Sequence, residues 1–211
     1  PDFAIFKNMD SNLGTNEVDW GVYHTSIGAT KKLELNQNLA AEDHPGPFND
    51  TEPTSSLFTF GGSPDAFGHS YMTNGPSGDD FIAYIWHDVP GLQKFGMYIN
   101  NKNTDGPYVE LGFKPALFVI KRTDSTGNWW VYNVERNPTN LTTSNVLRWD
   151  EPNAETSAST SYSVDFLSNG FKIRSQTADL NYDTGFASTY VYAAWAAAPS
   201  VDLFGGGANA R

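Results

Sequence analysis

The sequence predicts an all-β protein made of two tandem β-sandwich modules of the jelly-roll type, related by internal duplication. Four aromatic and β-branched segments occur twice in the same order, as expected for two copies of one structural unit. Turn-forming residues separate short apolar segments at intervals of about ten residues. The chain has 19 glycines and 12 prolines, and only 18% of its 211 residues are charged, which is typical of a loop-rich β protein.

The duplication depends on four pairs of segments that keep their order and a nearly constant spacing. The matched pairs are residues 1–10 with 115–124, 19–24 with 128–133, 58–60 with 171–173, and 81–86 with 190–195. Each copy then ends at a proline, Pro90 or Pro199. Small differences in spacing are expected, because loops tolerate insertions. The alternative is an accidental likeness between two stretches of β structure.

The first matched segments predict strands that are buried on both faces. Residues 3–6 and 117–120 are apolar at every position, which is typical of a strand covered on both sides. The second matched segments contain Val22 and Val131, each beside a tyrosine and close behind a tryptophan. This combination of β-branched and aromatic residues favours a strand.

The last matched segments, residues 81–86 and 190–195, predict the closing core strand of each copy. Residues 193–198 are alanine-rich, but they overlap a repeated strand segment, so we interpret them as strand and connection. A short helix is expected around residues 33–41.

The second copy is preceded by a segment that predicts a hairpin leading into Pro115. Residues 94–99 and 108–114 resemble strands, and an Asn-rich turn separates them. The first copy has no such segment before Pro1. We therefore expect the chain to be the C-terminal piece of a longer polypeptide, with an unpaired sheet edge in the first copy.

These observations predict three parts of the chain. The first module spans residues 1–93 and lacks its N-terminal hairpin, and the second spans residues 94–199. Residues 200–211 are glycine-rich and predict a flexible C-terminal tail.

Composition excludes several classes of partner and site. The net charge is −11, and such a field repels nucleic acids and anionic lipid. No apolar run approaches the roughly 18 residues of a membrane span, so no membrane insertion is expected. The absence of cysteine excludes a disulfide framework, a cysteine zinc site and a thiol nucleophile.

No recognised catalytic motif is present, so the sequence predicts a protein that is not an enzyme, with no catalytic residues and no cofactor. No two of the four histidines lie within four residues of each other, so no metal site is expected. Asn101, Asn103 and Asp105 match the opening of a calcium loop, but Gly112 stands where a bidentate glutamate is needed. We interpret this stretch as a plain Asn/Asp/Gly hairpin turn.

The tryptophans supply the candidate binding residues. Four of them occupy repeated strand positions and are expected in the core: Trp20, Trp86, Trp129 and Trp195. Trp130 adjoins Trp129 and is expected to face the opposite way, and Trp149 lies in a polar loop. We expect Trp130 and Trp149 to be exposed and to contact either a glycan or another module or subunit.

Several motifs together resemble a tandem module found in structural and tail-fibre-like proteins of marine and cyanobacterial tailed phages. In the second copy they are residues 112–115 (GFKP), 120–129 (IKRTDSTGNW), 165–172 (DFLSNGFK) and 190–192 (YVY). The first copy resembles another variant of the module through residues 20–24 (WGVYH), 28–31 (GATK) and 49–56 (NDTEPTSS). The resemblance covers nearly the whole chain up to Pro199.

The resemblance implies a non-enzymatic virion protein, near the C-terminus of a tail fibre, knob or capsid-decoration polypeptide. Its expected partners are other copies of itself, as a trimer if it is carried on a fibre, other virion proteins, and a host-surface glycan. The alternative is a carbohydrate-binding module of a secreted adhesin or enzyme.

Overall fold

A computed structural model describes residues 1–10, 12–13, 16–61, 69–75, 79–183, 185 and 187–197. The chain divides into two compact units, Pro1–His87 and Asp88–Arg211. The all-β class is confirmed, because the described residues form several antiparallel sheets and very little helix. None of the helices in these ranges is long and apolar enough to cross a membrane. Pro199 and the tail predicted at residues 200–211 lie outside the described residues.

Unit 1 contains a five-stranded antiparallel sheet and a separate two-stranded ribbon. Its elements are β1 Phe3–Asn8, β2 Asn12–Leu13, β3 Asn16–Glu17, β4 Gly21–His24, β5 Lys31–Glu34, β6 Glu42–Asp43, α1 Pro45–Phe48, a 3₁₀ helix His69–Met72, and β7 Phe81–Trp86. The strand order of the sheet is β6-β5-β4-β1-β7, and β2 pairs with β3.

The core of unit 1 lies on one face of β1 and β4. Ala4, Phe6 and Tyr23 contribute to it, together with Phe48 of α1. Phe3 to Phe6 are all buried, so the prediction of a strand covered on both faces is confirmed for the first copy. An apolar strand in this position is expected at the centre of a sheet.

The helix expected around residues 33–41 is wrong. Residues 31–34 form β5, which pairs with β4, so that Val22 lies opposite Leu33. The α-helix begins instead at Pro45, where a proline at the first helical position needs no hydrogen-bond acceptor for its nitrogen. Nδ1 of His44 accepts a hydrogen bond from the Gly46 N–H at 2.9 Å and caps this short helix.

Unit 2 contains a six-stranded and a three-stranded antiparallel sheet. Its elements are β8 Gln93–Ile99, β9 Tyr108–Glu110, β10 Pro115–Arg122, β11 Trp129–Asn133, β12 Ser144–Arg148, β13 Thr156–Ser159, a 3₁₀ helix Thr160–Tyr162, β14 Val164–Leu167, β15 Gly170–Ile173 and β16 Thr189–Ala196. The strand orders are β13-β12-β11-β10-β16-β8 and β14-β15-β9. Phe118 of the larger sheet stacks on Phe171 of the smaller one, with 4.2 Å between ring centroids.

The hairpin expected before Pro115 is wrong in its pairing. We call residues 93–114 the lead-in segment. Its two strands belong to different sheets, since β8 pairs with β16 and β9 pairs with β15. The turn between them is held by side chains, because Asn101 Oδ1 accepts from the Asn103 N–H and Asn103 Oδ1 accepts from the Asp105 N–H. The expected hairpin turn is therefore wrong, and residues 100–107 form a connection between two sheets that these side chains hold.

The two larger sheets share a strand order over five strands. In unit 1 the order is β7-β1-β4-β5-β6, and in unit 2 it is β16-β10-β11-β12-β13. Phe3 lies opposite Trp86 in the first sheet, and Leu117 lies opposite Trp195 in the second. These four residues are the ones that the sequence repeat matches, Phe3 with Leu117 and Trp86 with Trp195.

The other ladders follow the same register. Ala4 lies opposite Tyr23, and the matched residue Phe118 lies opposite Tyr132. Further along, the pairs are Val22 with Leu33 in unit 1 and Val131 with Leu147 in unit 2. A shift of one residue would turn every side chain of a strand to the other face of the sheet. Each matched pair therefore shows that the corresponding side chains of the two units occupy the same face.

The closing strands differ in burial. Tyr190 and Ala194 of β16 have no exposed surface, whereas Phe81 and Ile85 at the matched positions of β7 are 37% and 51% exposed. The prediction of a core strand is confirmed for residues 190–195 and wrong for residues 81–86. The cause is the neighbouring strand, because β8 flanks β16, whereas no strand among the described residues flanks β7 on its outer side.

Candidate functional site

Trp130 is buried, and the expectation that it is exposed is wrong. It lies in β11 with only 2% of its surface exposed and belongs to the core of unit 2. Its ring stacks on Tyr162 at 4.4 Å, and the Arg148 guanidinium lies 4.9 Å from the ring centroid. The sequence placed Trp130 and Trp129 on opposite faces, but the 3₁₀ helix containing Tyr162 covers the face that Trp130 occupies.

Trp149 is 38% exposed and follows the end of β12. Its backbone N–H donates to the Trp129 carbonyl at 3.1 Å. Oδ1 of the next residue, Asp150, accepts a hydrogen bond from the backbone N–H of Trp129 at 2.9 Å. Glu151 accepts hydrogen bonds from Asn128 and Arg148. An exposed aromatic ring therefore stands on a turn fixed by hydrogen bonds on both sides, and its role in binding stays a prediction.

Trp86, Trp129 and Trp195 lie in strands, as the sequence predicts, whereas Trp20 comes just before β4 and is not in a strand. The expected core position is confirmed for Trp129, which is 2% exposed. It is wrong for Trp20, Trp86 and Trp195, which are half-buried. The ring of Trp195 contacts Phe95 edge-on at 5.8 Å, so this tryptophan joins β16 to β8.

A polar cleft in unit 2 surrounds Arg122 and has a volume of about 590 Å³. The Arg122 guanidinium donates to Asp124 Oδ1 at 3.0 Å and to Asp183 Oδ2 at 2.7 Å. Hydrogen bonds from the Gly185 N–H and from Arg122 lower the pKa of Asp183. These carboxylates are ionised and held by a cation, so the arrangement suits a structural ion-pair network better than proton transfer.

A second cleft in unit 2, of about 350 Å³, is lined by Asn140, Leu141, Asp165 and Arg174 among others. Arg174 Nε donates to Asp165 Oδ2 at 2.7 Å, and Asn140 bonds both the N–H and the carbonyl of Phe166. Asn140, Asp165 and Arg174 are thus bonded within the chain, while Leu141 is 61% exposed. The remaining lining residues are also polar: Thr142, Thr160, Ser163 and Gln176.

Lys121 is a buried lysine close to two half-buried carboxylates, Asp150 and Asp179, a grouping that the sequence does not reveal. It is fully buried in β10, and its Nζ donates to the Gly127 carbonyl at 2.7 Å and to the Arg122 carbonyl at 3.1 Å. Burial lowers the pKa of Lys121 to about 8, although Asp150 and Asp179 oppose this shift. Burial also raises the pKa of both carboxyl groups.

Unit 1 has an apolar cleft of about 410 Å³, which we call the open cleft. It is lined by Pro1, Phe6, Thr54, Ser55, Ser56, Leu57, Phe58, Phe60, Ala83 and Ile85. Phe6 contacts Phe58 and Phe60 edge-on, at 5.2 and 5.3 Å between ring centroids. Residues 58–60 do not form a strand, although their matched residues 171–173 lie in β15.

The matching face of unit 2 is closed. There the lead-in segment places Val109, Leu111 and Phe113 in the core, at 6%, 4% and 2% exposure. They pack with Phe171 and Tyr192, which match Phe58 and Ala83 of the open cleft. The open cleft therefore occupies the position that the lead-in segment fills in unit 2.

Sequence reasoning missed the open cleft. Its strand β7 looks like a core strand, because every residue from Phe81 to Trp86 is apolar or aromatic. That pattern carries no signal for which neighbouring strand or segment covers β7.

A protein-family model described as a domain of unknown function (DUF7483) matches residues 1–199. The match spans both units of the described structure. No curated protein and no solved structure matches the chain.

Proposed function

We propose that this chain, which belongs to the DUF7483 family of domains of unknown function, is a non-enzymatic structural part of a larger extracellular assembly. The assembly is a phage virion, in which the chain forms part of a tail fibre, a knob or a capsid decoration. The resemblance of its motifs to tail-fibre-like proteins supports the virion as the location. The chain would act by presenting loops from a rigid β scaffold and by joining neighbouring modules.

The two units are, in this proposal, duplicated β-sandwich modules of the jelly-roll type. Two independent observations support the duplication. The repeat in the sequence matches segments in the same order, and the matched residues occupy the same register in sheets of the same strand order. An accidental likeness of sequence would have no reason to reproduce the register, since neighbouring strands are set by residues far apart in the chain.

One observation supports the assembly role above all, namely the exposed apolar surface of unit 1. Unit 1 exposes an apolar edge strand and an apolar cleft, whereas unit 2 covers the same positions with its own lead-in segment. Exposed, flat and apolar strand edges promote association with other chains, and proteins that remain alone usually protect them. A module with this surface is suited to being joined to another.

The test is the composition of purified particles. Virions that encode this chain are purified on a density gradient, the chain is quantified by mass spectrometry against a coat protein, and it is located by immunogold labelling. We expect a fixed copy number per particle and surface labelling. Recovery of the chain only in the soluble or envelope fraction of lysed cells would contradict the proposal.

Carbohydrate binding is the second candidate, and the exposed ring of Trp149 on its fixed turn favours it. Aromatic rings contact the apolar faces of sugars, and rigid aromatic anchors dominate many binding sites. Binding of the intact chain to a glycan array, lost in Trp149→Ala and retained in Tyr182→Ala, would support this function. Tyr182 is a matched control because it is 40% exposed and also lies in unit 2.

A further inference from the structure

We infer that unit 1 is a strand acceptor, whose open cleft and outer β7 edge bind a segment of the lead-in type supplied by a neighbouring module of the same family. The inference rests on the proposed duplication. It identifies the kind of segment that would cover the open cleft and the outer edge of β7. It requires three properties of unit 1: free backbone groups along β7, an apolar face, and a charge that suits the donor.

The backbone of β7 offers the same groups that β16 uses. In unit 2, Tyr192 of β16 lies opposite Gly96 of β8, and the Asn100 N–H donates to the Ser188 carbonyl at 3.1 Å in the same ladder. In unit 1, the Met9 N–H donates to the Asp80 carbonyl at 2.8 Å. Residues of an antiparallel strand direct their backbone groups alternately to opposite neighbours.

It follows that Phe81, Ala83 and Ile85 direct their N–H and carbonyl groups away from β1. The described residues place no strand on that side of β7. In the matched register, these groups correspond to Tyr190, Tyr192 and Ala194, which lie opposite β8. A donor strand can therefore add to β7 by the antiparallel pairing that unit 2 makes within itself.

The apolar face of β7 forms part of the open cleft, as the matched face of β16 forms part of the core of unit 2. Ala83 and Ile85 line the open cleft together with Phe6 and the rings of Phe58 and Phe60. A donor that first pairs with β7 and then crosses to Phe58, as β8 and β9 do in unit 2, would fill the cleft with alternate apolar side chains. Removing this apolar surface from water would stabilise the complex.

One position defines the chemistry of the donor. In unit 2, a Cβ added to Gly96 would lie 2.6 Å from Tyr192 Oη, so glycine is needed beside this tyrosine. The matched residue in unit 1 is Ala83, which has no ring. The donor residue opposite Ala83 therefore has room for a large apolar side chain, pointing into the open cleft.

Charge also favours such a donor. Unit 1 carries twelve acidic and three basic residues. The lead-in segment carries three lysines, Lys94, Lys102 and Lys114, and two acidic residues, Asp105 and Glu110. A slightly basic segment is attracted by the acidic unit 1, and the attraction decreases as salt increases.

The test grafts a second copy of residues 93–114 in front of Pro1. This junction repeats the one in unit 2, where Lys114 precedes Pro115, the match of Pro1. One graft carries Gly96→Leu in the grafted copy to fill the space opposite Ala83. The matched control carries Gly96→Pro there, because proline removes the donor needed for the ladder. Hydrogen exchange of the Ala83 and Ile85 amides is followed by NMR in both chains and in the ungrafted chain.

We expect the Gly96→Leu graft to slow exchange of these amides by about 100-fold or more relative to the ungrafted chain, and the Gly96→Pro graft to leave it unchanged. Equal exchange in all three chains would overturn the inference. Protection that is already present in the ungrafted chain and increases with its concentration would also overturn it. Each copy already uses its own lead-in segment within unit 2, so the occupant would then be another surface of a second copy.

A graft that fails to fold does not end the test. The peptide of residues 93–114 with Gly96→Leu is then added to the ungrafted chain at about 1 mM, close to the effective concentration of a short tether. Protection of the same amides supports the inference, and its absence overturns it. The particle experiment is independent, so a chain absent from virions whose β7 accepts the graft would refute the virion role and leave the strand acceptor standing.

Discussion

Individual residues of unit 2 show how burial separates two tryptophans that look alike in sequence. Trp130 is enclosed between Tyr162 and Arg148, whereas Trp149 stands at the surface on a fixed turn. The Nε1 atom of Trp130 makes no hydrogen bond within the described residues. The ring of Trp130 therefore contributes through packing, and its N–H contributes little.

Substitution of the two tryptophans should separate packing from surface contact. We expect Trp130→Ala to lower the free energy of unfolding by about 3–5 kcal/mol, because it leaves a large cavity. Trp130→Phe keeps a ring without the unbonded N–H and should cost about 1 kcal/mol. Trp149→Ala should change stability by about 1 kcal/mol or less. Denaturant unfolding followed by circular dichroism measures all three, and equal losses at both tryptophans would contradict this assignment.

Lys121 should make stability depend on pH. Its pKa is about 8 in the folded chain because of burial, whereas an unfolded lysine titrates near about 10.4. Between these values the unfolded state binds more protons than the folded state, so the free energy of unfolding increases with pH. We expect a gain of about 1–2 kcal/mol from about pH 7.5 to about pH 9.5.

The control for this prediction is Lys121→Met, in which the gain should disappear. Measurements should remain below pH 10, because burial raises the pKa of Tyr98 and Tyr132. Above the ordinary tyrosine pKa of about 10, these residues lose protons only in the unfolded state, and stability falls with pH. A wild-type chain with the same pH profile as Lys121→Met would show that Lys121 is not responsible.

Among the elements, β7 and β16 have the same place in their sheets and opposite environments. Both are closing strands that pair with the central strand, β1 or β10. The difference comes from the lead-in segment, which adds β8 beside β16 and β9 to the opposing sheet. The pattern of side chains predicts that both strands are apolar, but it does not indicate which of them has a neighbouring strand on each side.

The same substitution at the matched positions should therefore have opposite results. Ile85→Lys introduces a charge at a side chain that is 51% exposed, so we expect a change within about 0.5 kcal/mol. Ala194→Lys places a charge in a site with no exposed surface and should prevent unit 2 from folding. Near-ultraviolet circular dichroism and solubility of the two variants check this, and a comparable effect of both would show that β7 is buried in solution.

At the scale of the whole molecule, the two units differ in how complete their cores are. The core of unit 2 combines side chains from both of its sheets with Val109, Leu111 and Phe113 of the lead-in segment. The core of unit 1 is formed by residues of β1, β4 and α1 with Phe58 and Phe60, beside the open cleft.

Separate expression should reflect this difference. We expect residues 88–211 to fold alone, with one cooperative denaturant transition, because every residue of that core lies in unit 2. Residues 1–87 should unfold at lower denaturant concentration, and addition of the lead-in peptide should raise that concentration. A fragment 88–211 without a cooperative transition would show that unit 2 depends on unit 1.

The all-β class, the buried strand at residues 3–6, the largely buried strand at residues 117–120 and the order of the repeated segments could all be predicted from the sequence alone. These follow from local composition and from short continuous apolar runs bounded by turn residues, both of which are visible in neighbouring positions of the chain. Three features could be recognised only in the folded chain: Trp130 is covered, the lead-in segment divides between two sheets, and β7 has no outer neighbour among the described strands. Each of these depends on which distant strand lies alongside, and backbone pairing is made by N–H and carbonyl groups that every residue shares.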